Sequence, residues 1–235
     1  MVDRDALRPW IAAGHLDDET LERYSREMAA HPARMIVLAD VLTDGAASAL
    51  ATFLSNGAEY GIEHGLYSQP GAADPGAWEV APESDRFFRY GKLAGTRLEA
   101  ALDPETLTYL KWRRFVTEPA YHDFFEALTG ITLGESDDFG VHRFAVGDFL
   151  KDHDDENKNR RVAFVIYLTP DWRREFGGAL HMADRSGDVH LVESMFNTMV
   201  VFDVSAGSTH HVGRIEEAAG AHARYTFGGW FPNPS

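Results

Sequence analysis

Hydrophobic positions follow two different periods along the chain, and the change comes near residue 130. Before it, apolar residues recur at three- and four-residue spacing; after it they fall into short β-rich runs separated by turn residues. The stretch DDETLERYSREMAA predicts a helix over residues 17–30. Asp17 or Asp18 can cap its first amides, Asp18 and Glu19 suit its positive end, and Leu21, Tyr24 and Met28 share one face. RMIVLA, residues 34–39, reads as a strand, and Thr43 caps a second helix through about residue 54, striped by Ala46, Ala47, Leu50, Phe53 and Leu54. Glycine and proline punctuate residues 57–82, which predicts a strand near 60–67 and then a long loop of the kind that can close over a site. Residues 86–90 read as strand. Pro104 opens a helix to about residue 116, and residues 120–128 form another that ends at Gly130.

From residue 131 the pattern predicts strands at 139–145, 149–153, 161–168, 178–182, 189–192, 199–203, 210–212 and 225–231. Turn residues separate them, among them Gly147-Asp148, Gly177-Gly178, Ser186-Gly187 and Gly207. Eight short strands with regular turn signals imply a double-sheet jelly roll or barrel. The expected class is α+β. With no repeat, low-complexity tract or linker, residues 1–235 read as one domain: 1–130 a mainly helical buttress with edge strands, 131–235 the β core.

Composition narrows the function classes. Lys plus Arg number 22 against 37 Asp plus Glu, a formal charge of −15, which repels nucleic acid phosphates and suits either solubility or a basic partner. The absence of cysteine removes disulfides, thiolate metal sites and cysteine nucleophiles. The first residues carry acids and no apolar run follows, so neither a signal peptide nor a membrane span is expected, and the expected location is cytoplasmic.

The candidate chemistry gathers in RFAVGDFLKDHDDENKNRRVAFVIYL, residues 143–168. His153 and Asp155 stand two apart at a predicted strand end, so they point to one side of the sheet, and Asp154 points away. A further His would complete the two-His-one-carboxylate face that leaves positions open on a non-haem Fe(II). STHHV offers His210 or His211, of which alternation admits one. Arg224, at the head of the last strand RYTFGGWF, is a candidate anchor for the far carboxylate of a 2-oxoacid, and Tyr167 can add a hydroxyl. Taken singly, these two read as a surface arginine and a core aromatic; in order with the trio they read as a site. Arg160, Arg161 and Trp230 have two readings, at the mouth of the site or, as preferred here, as strand-end charges and a packed indole.

HDDENKNRRVAFVIYLTPDW, GGALHM, FNTMVVFDV, STHHV and RYTFGGWF, in this order, resemble the Fe(II)/2-oxoglutarate dioxygenases of the prolyl hydroxylase group. They are most similar to the prolyl 3-hydroxylases that modify a ribosomal protein, over the catalytic domain only, residues 142–231. The resemblance implies a double-stranded β-helix, the cupin-like jelly-roll barrel, with supporting N-terminal helices. It implies iron ligation by His153, Asp155 and His210, the last chosen over His211 by the pattern Ser-x-His-x-Val at Ser208, His210 and Val212. It further implies that Arg224 binds the distal carboxylate of 2-oxoglutarate, assisted by Tyr167, with Thr226 as a small hydroxyl two residues on. Fe(II), 2-oxoglutarate and O2 are the expected cofactor and cosubstrates, with ascorbate as a supporting reductant. The chain departs from many relatives at Phe144, where they carry Tyr, and in a longer loop between His210 and Arg224. The second barrel-like domain of the eukaryotic relatives is not matched, so substrate capture that depends on it is not assumed here.

The expected substrate is a prolyl residue of a peptide or protein, a basic ribosomal protein suiting the acidic chain, and the alternative is a free amino acid or other small molecule. Two readings from other classes stand beside it. A cupin-like metal hydrolase or isomerase would use the same three ligands and have no use for Arg224, and a silent barrel would be free to lose any of the four residues.

Overall fold

The computed structural model describes residues 2–155 and 159–234. The first three helices begin where side-chain acceptors can take their first amides. Asp3 caps α1 (Arg4–Leu7), Asp17 caps α2 (Asp18–Ala30) by accepting from the Thr20 amide, and Thr43 caps α3 (Asp44–Thr52), with β1 (Met35–Leu38) between the last two. A long antiparallel hairpin follows, β2 (Ala58–Leu66) and β3 (Arg86–Thr96). Its connection is not all loop: Asp74 and Pro75 start the short α4 (Pro75–Val80), and Trp78 anchors it in a small core with Leu66, Ala73 and Phe149. The irregular run expected over residues 68–82 therefore contains a packed helical turn. Next come α5 (Pro104–Phe115) and α6 (Pro119–Thr129), the latter closed by Gly130 in the left-handed conformation.

The second half supplies β4 (Phe139–Phe144), β5 (Phe149–His153), β6 (Arg160–Tyr167), β7 (Leu180–Ala183), β8 (Val189–Val192), β9 (Thr198–Asp203), β10 (Thr209–Val212) and β11 (Arg224–Pro232). Residues 156–158, the tip of the predicted turn after His153-Asp154-Asp155, lie outside the described residues. The strands follow the order β1-β9-β6-β11-β4-β3-β5-β10-β7-β8, with β2 on β3, and every pairing between them is antiparallel. The sheet curls into a nearly closed barrel with the helices against one outer face.

Strict alternation tells the two faces apart. In β6, Val162, Phe164 and Ile166 join the helix-side core with Trp112, Phe124 and Phe125, while Ala163, Val165 and Tyr167 turn into the barrel. In β9, Met199 and Val201 face the helices, Val200 and Phe202 the barrel. Both faces of these strands are covered, which is why AFVI and MVVF are apolar without interruption. In β11, Phe227 and Phe231 pack on the helix side, which leaves Arg224, Thr226, Gly228 and Trp230 to line the interior.

Candidate active site

The barrel encloses a cavity of about 640 Å³. His153 ends β5 and His210 sits directly opposite it on β10, their ring centroids 4.1 Å apart. Asp155 follows the strand and turns inward, 6% exposed, its carboxylate 3.4 Å from His210 Nε2 and 3.9 Å from His153 Nε2. The three ligand atoms lie within 4.8 Å of one another, a set that can hold a metal ion. Asp154, the neighbour, is exposed at the rim of the cavity. His211 points to the outer face, where Nδ1 pairs with Asp152 at 2.8 Å and the ring stacks on His181. The two strands thus bring together His153, Asp155 and His210, turn His211 to the outer face and leave Asp154 exposed at the rim.

Tautomer and charge fit a cation. His153 Nδ1 lies 2.9 Å from the Lys151 carbonyl, which can only accept, so Nδ1 carries the proton and Nε2 presents its lone pair inward. Burial, together with the neighbouring His210, pushes the His153 pKa down to about 4, so the ring is neutral at pH 7. Burial alone would raise Asp155, but the His210 hydrogen bond, the two imidazoles and the Trp230 N–H outweigh it and hold the carboxyl at about 2. His210 Nδ1 is buried with no partner among the described residues.

Asp155 has two further contacts. Trp230 Nε1 donates to Oδ2 at 2.9 Å, and Arg160 donates to Oδ1 at 3.3 Å while its guanidinium lies 3.5 Å from the Trp230 ring centroid. Expecting a solvated strand-end charge and a merely packed indole was therefore wrong for Arg160 and Trp230: each lines the cavity and holds the carboxylate. Arg161 does behave structurally, pairing with the buried Asp203 at 2.9 Å. The signal for Trp230 was present in the sequence, since it stands at even spacing from Arg224 on one strand. Arg160 carried no such mark.

Arg224 opens β11 and is 2% exposed. Its Nε donates to Ser194 Oγ at 2.7 Å, and Ser194 in turn donates to the Gly178 carbonyl. The guanidinium lies against the rings of Tyr167 and Phe144, 4.9 and 5.1 Å from their centroids. Among the described residues no carboxylate reaches it, and the Tyr167 hydroxyl is buried without a hydrogen-bond partner. Burial lowers the Arg224 pKa and raises that of Tyr167. Such an uncompensated cation costs several kcal/mol unless an anion joins it. Gly178 makes the room: at φ +74°, a Cβ there would come 3.0 Å from Arg224 Cδ and 2.5 Å from Ile215 Cδ1. Thr226, beside Arg224 on the same face, also lines the cavity, and Tyr167 is paired with Thr226 across β6 and β11. Arg214, the other arginine of this region, faces outward to Glu83 and the Gly147 carbonyl and can anchor nothing inside.

Likeness to known proteins agrees with this geometry. Residues 139–232 match the family model described as the 2OG-Fe(II) oxygenase superfamily. Over 125 residues the chain is 35% identical to prolyl 3-hydroxylase OGFOD1 of Mus musculus, covering 49% of this chain and 22% of that protein. It is 30% identical over 130 residues to the Xenopus laevis protein of the same name, covering 53% and 25%. The matches thus span about a quarter of these relatives' own length. Among solved structures, a prolyl hydroxylase from Trichoplax adhaerens in complex with a hypoxia inducible factor peptide fragment superposes with a TM-score of 0.59 at 16% identity, covering 92% of this chain and 90% of that one. A Pseudomonas putida prolyl-4-hydroxylase gives 0.55 at 20%, covering 92% and 95%. At these identities the structures speak for a shared fold. No helix among the described residues is long and apolar enough to cross a membrane. The segment from residue 139 to residue 232, which holds the two imidazoles, their carboxylate and the buried arginine, is a domain of the 2OG-Fe(II) oxygenase superfamily.

Proposed function

We propose that the chain is an Fe(II)- and 2-oxoglutarate-dependent dioxygenase that hydroxylates a prolyl residue within a peptide or protein, with residues 1–130 as its buttress in one domain. The observation that carries the cosubstrate is Arg224, a buried cation with no carboxylate partner, opening on the cavity that the His153-Asp155-His210 set also lines. In this reading His153, Asp155 and His210 ligate Fe(II), Arg224 holds the distal carboxylate of 2-oxoglutarate, and Tyr167 and Thr226 assist it. The bound iron, 2-oxoglutarate and dioxygen supply oxidative decarboxylation to succinate and carbon dioxide, coupled to hydroxylation of a C–H bond.

The protein's own groups position and exclude. Trp230 and Arg160 occupy lone pairs of Asp155 and thereby fix the plane of the carboxylate. The Lys151 carbonyl holds His153 in the tautomer that presents Nε2. Phe87, Phe88 and Phe202 make much of the remaining wall apolar, and Pro70 and Gly71 of the β2–β3 connection reach the cavity, so a bound substrate displaces water there. A hydrolase or isomerase on the same barrel would have no use for an unpaired Arg224, which disfavours that reading. The peptide preference rests on likeness to prolyl 3-hydroxylases and on a charge of −15 that suits a basic polypeptide such as a ribosomal protein.

The test is turnover of protein loaded anaerobically with Fe(II), then given oxygen, 2-oxoglutarate and ascorbate, with prolyl peptides or free amino acids. Succinate formation coupled to a +16 Da change on a prolyl residue is expected. Coupled conversion of free proline alone would move the substrate to small molecules. No succinate with any of them would remove the dioxygenase reading.

A further inference from the structure

Among the titratable side chains that line the cavity, His142 has no part in the roles above. His142 lies on β4 directly opposite Thr226 of β11, and the next pair along the same face is Phe144 opposite Arg224. In an antiparallel ladder such opposed residues share a face, and all four line the cavity. The His142 imidazole makes no hydrogen bond to any described residue. Its ring is packed edge-on against Tyr90 of the neighbouring strand β3, with centroids 5.0 Å apart and planes at 82°, which fixes its orientation. On the other side of β4, Lys92 is opposite His142 in register but lies half exposed and pairs with Glu63.

We infer that His142 is a cosubstrate-positioning residue, its imidazole N–H donating a hydrogen bond to the carboxylate that Arg224 holds. The inference rests on the 2-oxoglutarate reading of the site and adds to it a residue and a selectivity. Phe144, paired with Arg224, has no polar atom to offer such a ligand, so on this ladder the cavity-facing donors come at the next pair, Thr226 and His142. Burial and the charges of Lys92 and Arg224 push the His142 pKa down to about 4, so at neutral pH the ring has one N–H and one lone pair and adds no charge. A neutral donor beside a fixed guanidinium contributes direction more than attraction. It should favour a ligand with a distal carboxylate over an equally long 2-oxoacid without one.

Calorimetric titration under nitrogen, on protein loaded with Mn(II), reads this without turnover. 2-Oxoglutarate and 2-oxopentanoate, which keeps the 2-oxoacid end and lacks the distal carboxylate, are titrated into the parent, His142→Ala and His142→Gln. The expected result is an affinity for 2-oxoglutarate lowered about ten- to a hundredfold in His142→Ala, the range of one hydrogen bond to a charged group. It should be partly restored in His142→Gln, and the affinity for 2-oxopentanoate should change less than twofold in either. An equal loss for both ligands, or unchanged 2-oxoglutarate binding, overturns the assignment. His142→Gln keeps the test open if the alanine variant melts early. A parent protein that binds no 2-oxoglutarate would overturn the reading of the site itself, a result distinct from failure of the His142 contact.

Discussion

A buried guanidinium whose Nε donor is met only by a serine hydroxyl is a liability until an anion arrives, and Arg224 is in that state. Arg224→Met keeps much of the volume and removes the charge. It should raise the melting temperature of the unliganded protein while weakening 2-oxoglutarate binding by one to three decades, since charge-assisted hydrogen bonds to a buried carboxylate are worth roughly 2–4 kcal/mol together. Differential scanning fluorimetry with a parallel titration checks both halves, and an unchanged affinity would place the anchor elsewhere. Around the metal set the prediction turns on alternation: Asp155→Ala should abolish Mn(II) binding, whereas Asp154→Ala, which alters an exposed side chain, should leave it within a fewfold of the parent. The same contrast is expected between His210→Ala and His211→Ala. A dead Asp154 variant beside an active Asp155 variant would mean that the turn after His153 faces the other way.

At the scale of elements, the loop bearing Gly178 matters because it supports Arg224 from behind. Gly178→Ala would force a left-handed backbone on a residue with a Cβ and push that Cβ into Ile215. A loss of about 1–3 kcal/mol in chemical denaturation is expected, together with weaker 2-oxoglutarate binding because the Arg224 stem must shift. Normal stability with normal binding would show that the loop relaxes freely. What the sequence made legible follows from the same local physics. The β strands were readable because Ala163-Phe164-Val165-Ile166 and Met199-Val200-Val201-Phe202 are covered on both faces, and α2 because Asp17 and the Leu21, Tyr24, Met28 face are both local signals. The pairing of His153 with Asp155 was a matter of period two. By contrast, α1 has four residues and α4 six, too short for any period to be seen among prolines and glycines. β3 runs on to Thr96 through Gly91 and Gly95, where propensity argues against a strand and pairing with β2 overrides it. Arg160 and Ser194 touch the site through contacts across 5 and 30 residues, which no neighbouring letters announce.

Across the whole molecule, four of the strands that line the cavity, β4, β6, β9 and β11, also build the core under the helices with their other faces, so occupancy of the site should be felt in global stability. At a ligand concentration a hundred times its dissociation constant the gain is about 2.7 kcal/mol, or roughly 5–11 °C for a chain of this size. Mn(II) with 2-oxoglutarate should therefore raise the melting temperature by that order, and neither addition should move Asp155→Ala. A shift of equal size in that variant would show that the ions act elsewhere on the acidic surface. The indole of Trp230 brings a different consequence. Of the chain's five tryptophans it is the one lining the cavity, held by its N–H on the carboxylate of Asp155 and covered by Arg160. Its emission should therefore act as an optical gauge of the centre: a paramagnetic ion beside Asp155 quenches the fluorophore at contact range, and the other four indoles supply a constant background. Filling of the site can then be followed by eye of the spectrometer in real time, in an unlabelled protein, before any substrate has been identified.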